Sequence, residues 1–403
     1  MNFTSKPYKL YNKIQNYAWG TKNEDAFIPN LLNMQPETGK PYAELWIGAH
    51  PKAPSEIIIE NERISLNELI DKYPKEILGE SIVNKFGNNL PFLLKVLSAS
   101  QALSIQTHPN KEQAVELHAA DPKNYPDDNH KPEIAITIDS LSSLVGFRPV
   151  NEIIEMLKKR KEIGKYFGED LVRQIVDSEN EEETEKGIIQ LFQLIMKSSN
   201  DEDLLKNAVN EIKDNLTIEQ LLTIQEKEFL KQYKEYGNDI GLFAILFMNI
   251  VELKPGHAIF TGAGIPHAYL KGNIVECMAN SDNVVRAGLT PKFKDVDTLL
   301  EILKYDFQKP EIMENKSGSN KLLYKCEADE FMVTSTVLHG DDEMSFNENK
   351  AMKILLLLNG AVDLLWDGSG FESYKKGDSV LIPAAVQSFK ILSKEECLLF
   401  IVE

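Results

Sequence analysis

Cysteine is scarce in this chain of 403 residues. The three cysteines, Cys277, Cys326 and Cys397, lie far apart and form no CxxC pair. Such spacing excludes a disulfide framework and favours a protein of the reducing cytoplasm.

Basic residues are also in short supply. Lysine and arginine total 44 against 62 aspartates and glutamates, which gives a net charge of -18. An acidic surface repels phosphate polymers, so we expect no nucleic-acid partner and no binding to anionic membranes. A small ligand that bears phosphate then needs a local cluster of cations.

Long apolar runs are absent as well. Runs such as 243–248 and 354–358 are far shorter than the roughly 20 residues of a membrane span. Residues 1–9 lack the apolar core of a signal peptide. Because 42% of the residues are hydrophobic, the chain has ample material for a core, and disorder is excluded as its dominant state. We expect a cytoplasmic, monomeric protein without membrane contact.

The texture of the sequence changes twice along the chain. Residues 1–148 contain short apolar runs broken by proline, glycine and asparagine, which is typical of strands and loops. Residues 149–240 have no proline between 151 and 236 and show apolar residues at helical spacing, which predicts an insert of three to five helices. Helix starts are predicted at Ser199 and Thr217, each followed three residues later by Glu or Gln. From Gly241 onward strand texture returns.

A short sequence pattern is repeated within this last region. Lys254-Pro-Gly256 and Lys375-Lys-Gly377 each precede a short β-prone stretch and then a proline. The repetition predicts two related β-barrels, of which the second has Ala384 where the first has His267. We therefore predict a mainly β chain with an all-helical domain. Its parts are a discontinuous catalytic domain (1–148 and 241–320), a helical insert (149–240) and a C-terminal barrel without a metal site (321–403).

Three polar segments contain candidate metal ligands. Gln106 and His108 point to one face if their segment is a strand. Glu133 opens an apolar stretch, where a buried carboxylate needs a partner such as zinc, and His267 follows a glycine-rich turn. Two nitrogens and two oxygens suit Zn²⁺. The alternatives, a surface histidine and a solvated loop, stay open because no regular zinc signature is present.

A fourth segment, 273–292, contains Glu276 on a predicted strand and Arg286 within an apolar stretch. An arginine there needs either a carboxylate partner or an anionic ligand. The residues alone favour neither role.

Seven blocks between residues 17 and 292 together resemble the type I mannose-6-phosphate isomerases. They are Tyr17-Ala-Trp-Gly20, Ala43-Glu-Leu-Trp-Ile-Gly-Ala-His50-Pro, Pro91-Phe-Leu-Leu-Lys95-Val-Leu-Ser-Ala, Leu103-Ser-Ile-Gln106-Thr-His108-Pro-Asn, His130-Lys-Pro-Glu133, Gly264-Ile-Pro-His267-Ala-Tyr and Val275-Glu276-Cys-Met-Ala-Asn280-Ser-Asp282-Asn-Val-Val-Arg286-Ala-Gly288-Leu-Thr-Pro-Lys292.

The resemblance implies an enzyme with two cupin-type (jelly-roll) barrels that interconverts mannose 6-phosphate and fructose 6-phosphate through an enediol. It also implies one Zn²⁺ per chain as the cofactor. The roles it implies are zinc ligands (Gln106, His108, Glu133 and His267), proton transfer, ring opening or isomerisation (Arg286, His130, Lys131 and Asp282) and the phosphate or substrate pocket (Lys95, Ser104, Glu276, Lys292 and Trp19). Trp19 is equally expected in the core.

Two rival functions remain to be separated. A non-catalytic metal-binding cupin that senses sugar phosphates would not need His130, Lys131 and Arg286 together. A cupin oxygenase would favour histidine-rich iron ligation, whereas a glutamine ligand suits redox-inert zinc.

Overall fold

The computed structural model describes residues 3–315, 318–368 and 370–403. Helix and strand each account for 32% of the chain. The prediction of a mainly β chain is therefore corrected to a mixed one, because helices also occur outside the insert.

Antiparallel strands form the framework of the molecule. The strands are β1 (Tyr8–Lys9), β2 (Lys13–Gln15), β3 (Thr21–Lys22), β4 (Pro41–Tyr42), β5 (Glu44–Gly48), β6 (Glu56–Ile59), β7 (Glu62–Ser65), β8 (Phe92–Ala99), β9 (Ile105–Thr107), β10 (Glu133–Phe147), β11 (Met248–Leu253), β12 (Ala258–Thr261), β13 (His267–Ala279), β14 (Val285–Gly288), β15 (Lys321–Tyr324), β16 (Val333–Leu338), β17 (Glu343–Phe346), β18 (Lys353–Leu357), β19 (Ala361–Trp366), β20 (Gly370–Lys375), β21 (Ser379–Ile382), β22 (Phe389–Ser393) and β23 (Cys397–Val402).

Helices cover the strands at several places. The α-helices are α1 (Phe27–Leu31), α2 (Leu66–Lys72), α3 (Pro74–Leu78), α4 (Glu80–Phe86), α5 (Lys111–Ala120), α6 (Val150–Lys159), α7 (Lys161–Phe167), α8 (Glu169–Asp177), α9 (Glu181–Lys197), α10 (Glu202–Ile218), α11 (Ile224–Tyr236), α12 (Gly241–Phe247) and α13 (Val296–Ile302), with 3-10 turns at Asn23–Asp25 and Ser198–Asn200.

A nine-stranded sheet positions the candidate site. Its main order is β11-β10-β13-β8-β5-β2, with β12 on β10, β9 on β13 and β14 on β9. Side chains alternate along each strand, so Leu94 and Val275 point to one face while Lys95 and Glu276, paired across β8 and β13, point to the other. The apolar face packs on the C-terminal sheets, and the polar face contains the candidate ligands.

The C-terminal region contains a six-stranded sheet, β1-β21-β18-β23-β16-β15, and a four-stranded sheet, β17-β22-β19-β20. One face of the larger sheet, including Ile354 and Leu356, packs against the nine-stranded sheet, and the other, including Leu355 and Leu357, packs against the smaller sheet. Strand β1 comes from the N-terminal end, outside the predicted C-terminal barrel. In the described residues the strand orders are open, so the predicted barrels are not seen as closed rings.

Helices α6–α12 form a layer behind β9 and β14. Ile105, Val285 and Ala287 lie in the same apolar core as Leu191 on α9 and Phe243 on α12. Because side chains alternate, Gln106 and Arg286 project away from this core. The helical layer therefore supports the strands that present these two residues.

The helical region differs from its prediction in its number of helices, its extent and its caps. The insert contains six α-helices, α6–α11, whereas three to five were expected, and residues 241–247 form a helix where strands were expected. The predicted caps are also wrong: Thr217 lies in the last turn of α10, whereas Asp201 caps α10 and Thr223 forms a capping box with Glu226 on α11.

The repeated sequence pattern corresponds to a repeated local structure. Gly256 and Gly377 adopt φ angles of 78° and 86°, which favour glycine, and each turn leads into a four-residue strand. In the described part of the chain, no helix is both long and apolar enough to cross a membrane.

Replacing Thr223 by alanine tests the observed cap. The variant loses the acceptor for the Glu226 amide, so the free energy of unfolding should fall by about 1 kcal/mol. Thr217→Ala is the control, because its hydroxyl donates to Lys213 within a helix and its removal should change stability much less. Urea unfolding measures both, and an equal loss in the two variants would contradict the assignment.

Candidate active site

Three buried side chains converge on the polar face of the nine-stranded sheet. The Glu133 Oε1 atom lies 3.5 Å from His108 Nε2, and Glu133 Oε2 lies 3.2 Å from His267 Nε2. One ligand atom from each residue lies within 4.8 Å of the others. Gln106 pairs with His267 across β9 and β13, and its amide nitrogen lies 3.5 Å from His267 Nε2. A half-turn of this amide would present its oxygen instead. All four residues predicted as ligands are therefore neighbours.

Both histidines are oriented by bonds from their other ring nitrogen. His108 Nδ1 lies 2.7 Å from the carbonyl oxygen of Asn283, and His267 Nδ1 lies 2.9 Å from that of Ile265. A carbonyl only accepts, so each Nδ1 carries a proton and Nε2 is the ring nitrogen that faces the metal group. This is the arrangement that metal-binding histidines use.

Two buried atoms of this group, His108 Nε2 and Glu133 Oε2, have no hydrogen-bond partner among the described residues. A buried polar atom without a partner costs free energy unless something binds it. Imidazole nitrogens with a carboxylate oxygen form an acceptable zinc donor set, so the residues fit a single metal ion.

Electrostatics keep the group in its metal-binding protonation state. Burial lowers the pKa of His108 to about 4, although Glu133 opposes the shift. Burial would raise the pKa of Glu133, but Lys131, whose ammonium lies 2.9 Å from Oε1, and His108 hold it well below its usual value. At neutral pH the site therefore contains a neutral histidine and an ionised carboxylate.

Arg286 lies beside the ligands, because it pairs with Gln106 across β14 and β9. Burial lowers its pKa, and among the described residues it forms no ion pair. Burial and the charge of Arg286 likewise lower the pKa of Lys292, which is also without an ion pair in the described chain. Of the two roles left open for Arg286, the structure favours an anionic ligand over a carboxylate partner.

Lys95 occupies a different environment. Its ammonium lies 3.0 Å from Glu276 and 3.7 Å from Glu44, and 5.5 Å from the centre of the Trp46 ring. Burial would lower its pKa, but the two carboxylates raise it. Glu276 also accepts a 2.9 Å bond from the Tyr269 hydroxyl. Lys95 and Glu276, both predicted to bind substrate, thus form a buried polar cluster with Glu44.

Asp282 pairs with His50. Their side chains are 3.4 Å apart, and Lys52 lies 2.7 Å from the same carboxylate oxygen. Although burial would raise the pKa of Asp282, His50 and Lys52 hold it well below its usual value. Sequence reasoning missed His50, which packs edge-on against Trp46 at 4.7 Å.

His130 pairs with a carboxylate of the C-terminal region. Its Nε2 lies 2.6 Å from Glu330 Oε1. His130, Glu330, His50 and Asp282 line one cleft of about 1130 Å³. The C-terminal region therefore supplies a wall of the cleft.

Two further predicted residues are half-buried. Ser104 directly precedes β9. Trp19 stacks on Tyr17 at 5.8 Å and packs against the apolar cluster that includes Leu97 and Tyr269. The core alternative for Trp19 is therefore the one its contacts favour.

The sequence contained a signal for some residues that were missed. Glu44 is a carboxylate within an apolar strand, the same signal that identified Glu133. Asp127, by contrast, sits in a polar segment that is typical of a solvated loop, and nothing local marks its contacts.

The fold and the site together define a metal-binding protein of mixed α and β structure. Its described residues contain one buried His-Glu-His group, beside an arginine that has no ion-pair partner among them. The profile for the phosphomannose isomerase type I catalytic domain matches residues 8–150. The mannose-6-phosphate isomerase of Ogataea parapolymorpha is 37% identical over 392 residues, covering 92% of this chain and 91% of that protein. The chain belongs to the mannose-6-phosphate isomerase family, as its sequence blocks predicted.

Solved structures agree over nearly the whole chain. A mutant of phosphomannose isomerase from Salmonella typhimurium is 33% identical, with a TM-score of 0.86 and 99% of both chains covered. A zinc-bound mannose 6-phosphate isomerase is 31% identical, with a TM-score of 0.85 and the same coverage.

Replacing Lys95 by methionine tests the buried polar cluster of Lys95, Glu276 and Glu44. The change leaves Glu276 and Glu44 as uncompensated buried carboxylates, so the free energy of unfolding should fall by about 3–5 kcal/mol. Lys9→Met is the control, because Lys9 pairs with Asp378 at the surface and its loss should cost less than about 1 kcal/mol. Denaturant titration of both variants decides, and a similar small loss in each would contradict the account.

Proposed function

We propose that this chain is a zinc-dependent aldose-ketose isomerase that interconverts mannose 6-phosphate and fructose 6-phosphate. The observation that carries the proposal is the buried His-Glu-His group next to the strand that carries Arg286. In the described part of the chain, two atoms of this group lack a hydrogen-bond partner and the guanidinium lacks an ion-pair partner. Family membership supplies the substrate pair.

Gln106, His108, Glu133 and His267 would hold the ion. Bound there, zinc would act as a Lewis acid that polarises an oxygen of the sugar. Lys131 keeps Glu133 ionised and places a second cation next to the reacting oxygens.

The reaction moves a proton between C1 and C2 through an enediol. Arg286 is suited to stabilise the negative charge that develops on the neighbouring oxygens, because a preorganised cation is most effective where water is excluded. Its strand is braced by the helical layer, so the guanidinium is held in place before the substrate binds.

Ring opening requires a group that exchanges a proton with the ring oxygen. Asp282 and His50 are the pair that the contacts support, since a histidine and an ionised carboxylate can share a proton. His130, which is bonded to Glu330, stays a prediction for this step.

The phosphate needs cations that are not already neutralised. Lys292 has no ion-pair partner among the described residues and meets this condition, and Ser104, two residues before Gln106, offers a hydroxyl. Lys95 is compensated by two carboxylates, so we assign it, with Glu276, to ordering the pocket; its direct contact with substrate, and that of Trp19, stay predictions.

The division into domains is part of the proposal. Residues 1–148 with 241–320 form a catalytic cupin domain, 149–240 a helical insert, and 321–403 a second cupin-like unit whose sheets pack face to face. The repeated glycine turn and four-residue strand support two related cupin units. The reducing cytoplasm is supported by three free cysteines, and the monomer stays a prediction.

The sensor alternative has less support. A sensor would need a metal group or a cation for the phosphate, but it would not need the acid–base pair of His50 and Asp282. We therefore favour catalysis.

Removing the metal tests the proposal. Dialysis against a chelator should abolish conversion of mannose 6-phosphate to fructose 6-phosphate in a coupled assay, and added Zn²⁺ should restore it. His108→Ala should purify with far less than one zinc per chain, whereas the exposed His339→Ala should keep one. Full turnover in a sample shown by elemental analysis to be metal-free would refute the metal role, and zinc binding without turnover would favour the sensor.

Replacing Arg286 by glutamine tests its role in turnover. We expect kcat to fall by about 100-fold or more, because one preorganised charge is lost from the transition state. Stability should change little, since no ion pair is broken. Arg173→Gln on α8 is the matched control and should retain full activity; a normal rate for the Arg286 variant would remove it from the mechanism.

A further inference from the structure

Asp127 joins two loops that lie far apart in the chain. Its Oδ1 accepts bonds from the Ser281 hydroxyl at 2.7 Å, from the Asn129 amide at 3.1 Å and from the Asn283 side chain at 3.2 Å. Its Oδ2 accepts a 2.7 Å bond from the Asp282 amide. One carboxylate therefore satisfies four donors.

Asn283 extends this connection to a metal-site histidine. Its fully buried side chain donates to the Asp127 carbonyl at 2.6 Å and to the Asn129 carbonyl at 2.9 Å. Its own carbonyl accepts the 2.7 Å bond from His108 Nδ1. The orientation of the His108 ring thus depends on an asparagine whose position Asp127 fixes.

We propose that Asp127 is a positioning residue for the metal centre: it holds Asn283 so that His108 keeps its Nε2 lone pair aimed at the ion. The inference rests on the metal site of the proposed function. Asp127 does not itself contact the ligand atoms, and its effect passes through Asn283.

An asparagine in place of Asp127 would upset this arrangement. The NH₂ group of its side chain would face either the Asp282 amide or the three donors that now bond to the other oxygen. Donors would then face donors, and the bonds on that side would be lost. Losing the outer support of a metal-binding histidine commonly weakens metal binding about 10- to 100-fold.

The experiment compares Asp127→Asn with Asp128→Asn, a matched change at an exposed neighbour that forms none of these bonds. Zinc affinity is measured by competition with a fluorescent chelator, and Co²⁺-loaded protein gives a visible spectrum that reports ligand geometry. We expect a zinc dissociation constant raised about 10- to 100-fold and an altered cobalt spectrum for Asp127→Asn. Asp128→Asn should match the unsubstituted protein in both measurements.

The outcomes separate the inference from the proposed function. If the unsubstituted protein binds no zinc, the proposed function fails and the inference with it. If it binds zinc and Asp127→Asn binds equally well with the same cobalt spectrum, only the inference is overturned, even if the variant melts at a lower temperature. If Asp127→Asn does not fold, Ser281→Ala replaces it. This change removes the hydroxyl that donates to Asp127 and accepts from the Asn283 amide, so zinc binding should weaken about 2- to 10-fold, and unchanged affinity would overturn the inference.

Discussion

The ionised carboxylate of Glu133 is the constraint on which the site depends. Burying a charge is costly unless it is paired, and Glu133 is 2% exposed. Lys131 compensates one oxygen, while the other faces His267 and has no hydrogen-bond partner within the described ranges. The protein thus holds a partly uncompensated negative charge between two imidazoles, which is an environment that favours a divalent cation.

The nine-stranded sheet supports the buried charges of the site. Alternation gives each central strand one apolar and one polar face, so Val96 anchors the sheet on the C-terminal core while Lys95 faces the site. The helical layer braces β9 and β14 from behind. Polar groups that would be unstable singly are therefore held on a framework whose stability comes from elsewhere.

The sequence was sufficient for the parts of the site that are local or apolar. Buried charge within an apolar strand identified Glu133, and strand alternation placed Gln106 and His108, but the resemblance was needed to assemble the four ligands. The partners of His50 and His130 could not be predicted from the sequence, because both contacts join segments about 200 residues apart. Caps were misplaced for a similar reason: Thr217 and Thr223 carry similar local patterns, and packing of α10 decides between them.

The central claim is that one zinc ion binds among these four side chains. Crystals grown with zinc and measured at the zinc absorption edge test it most directly. The account predicts a single strong anomalous peak within about 2.0–2.3 Å of His108 Nε2, His267 Nε2 and oxygens of Glu133 and Gln106. A peak elsewhere, with His108, Glu133 and His267 left in their metal-free positions, would contradict it.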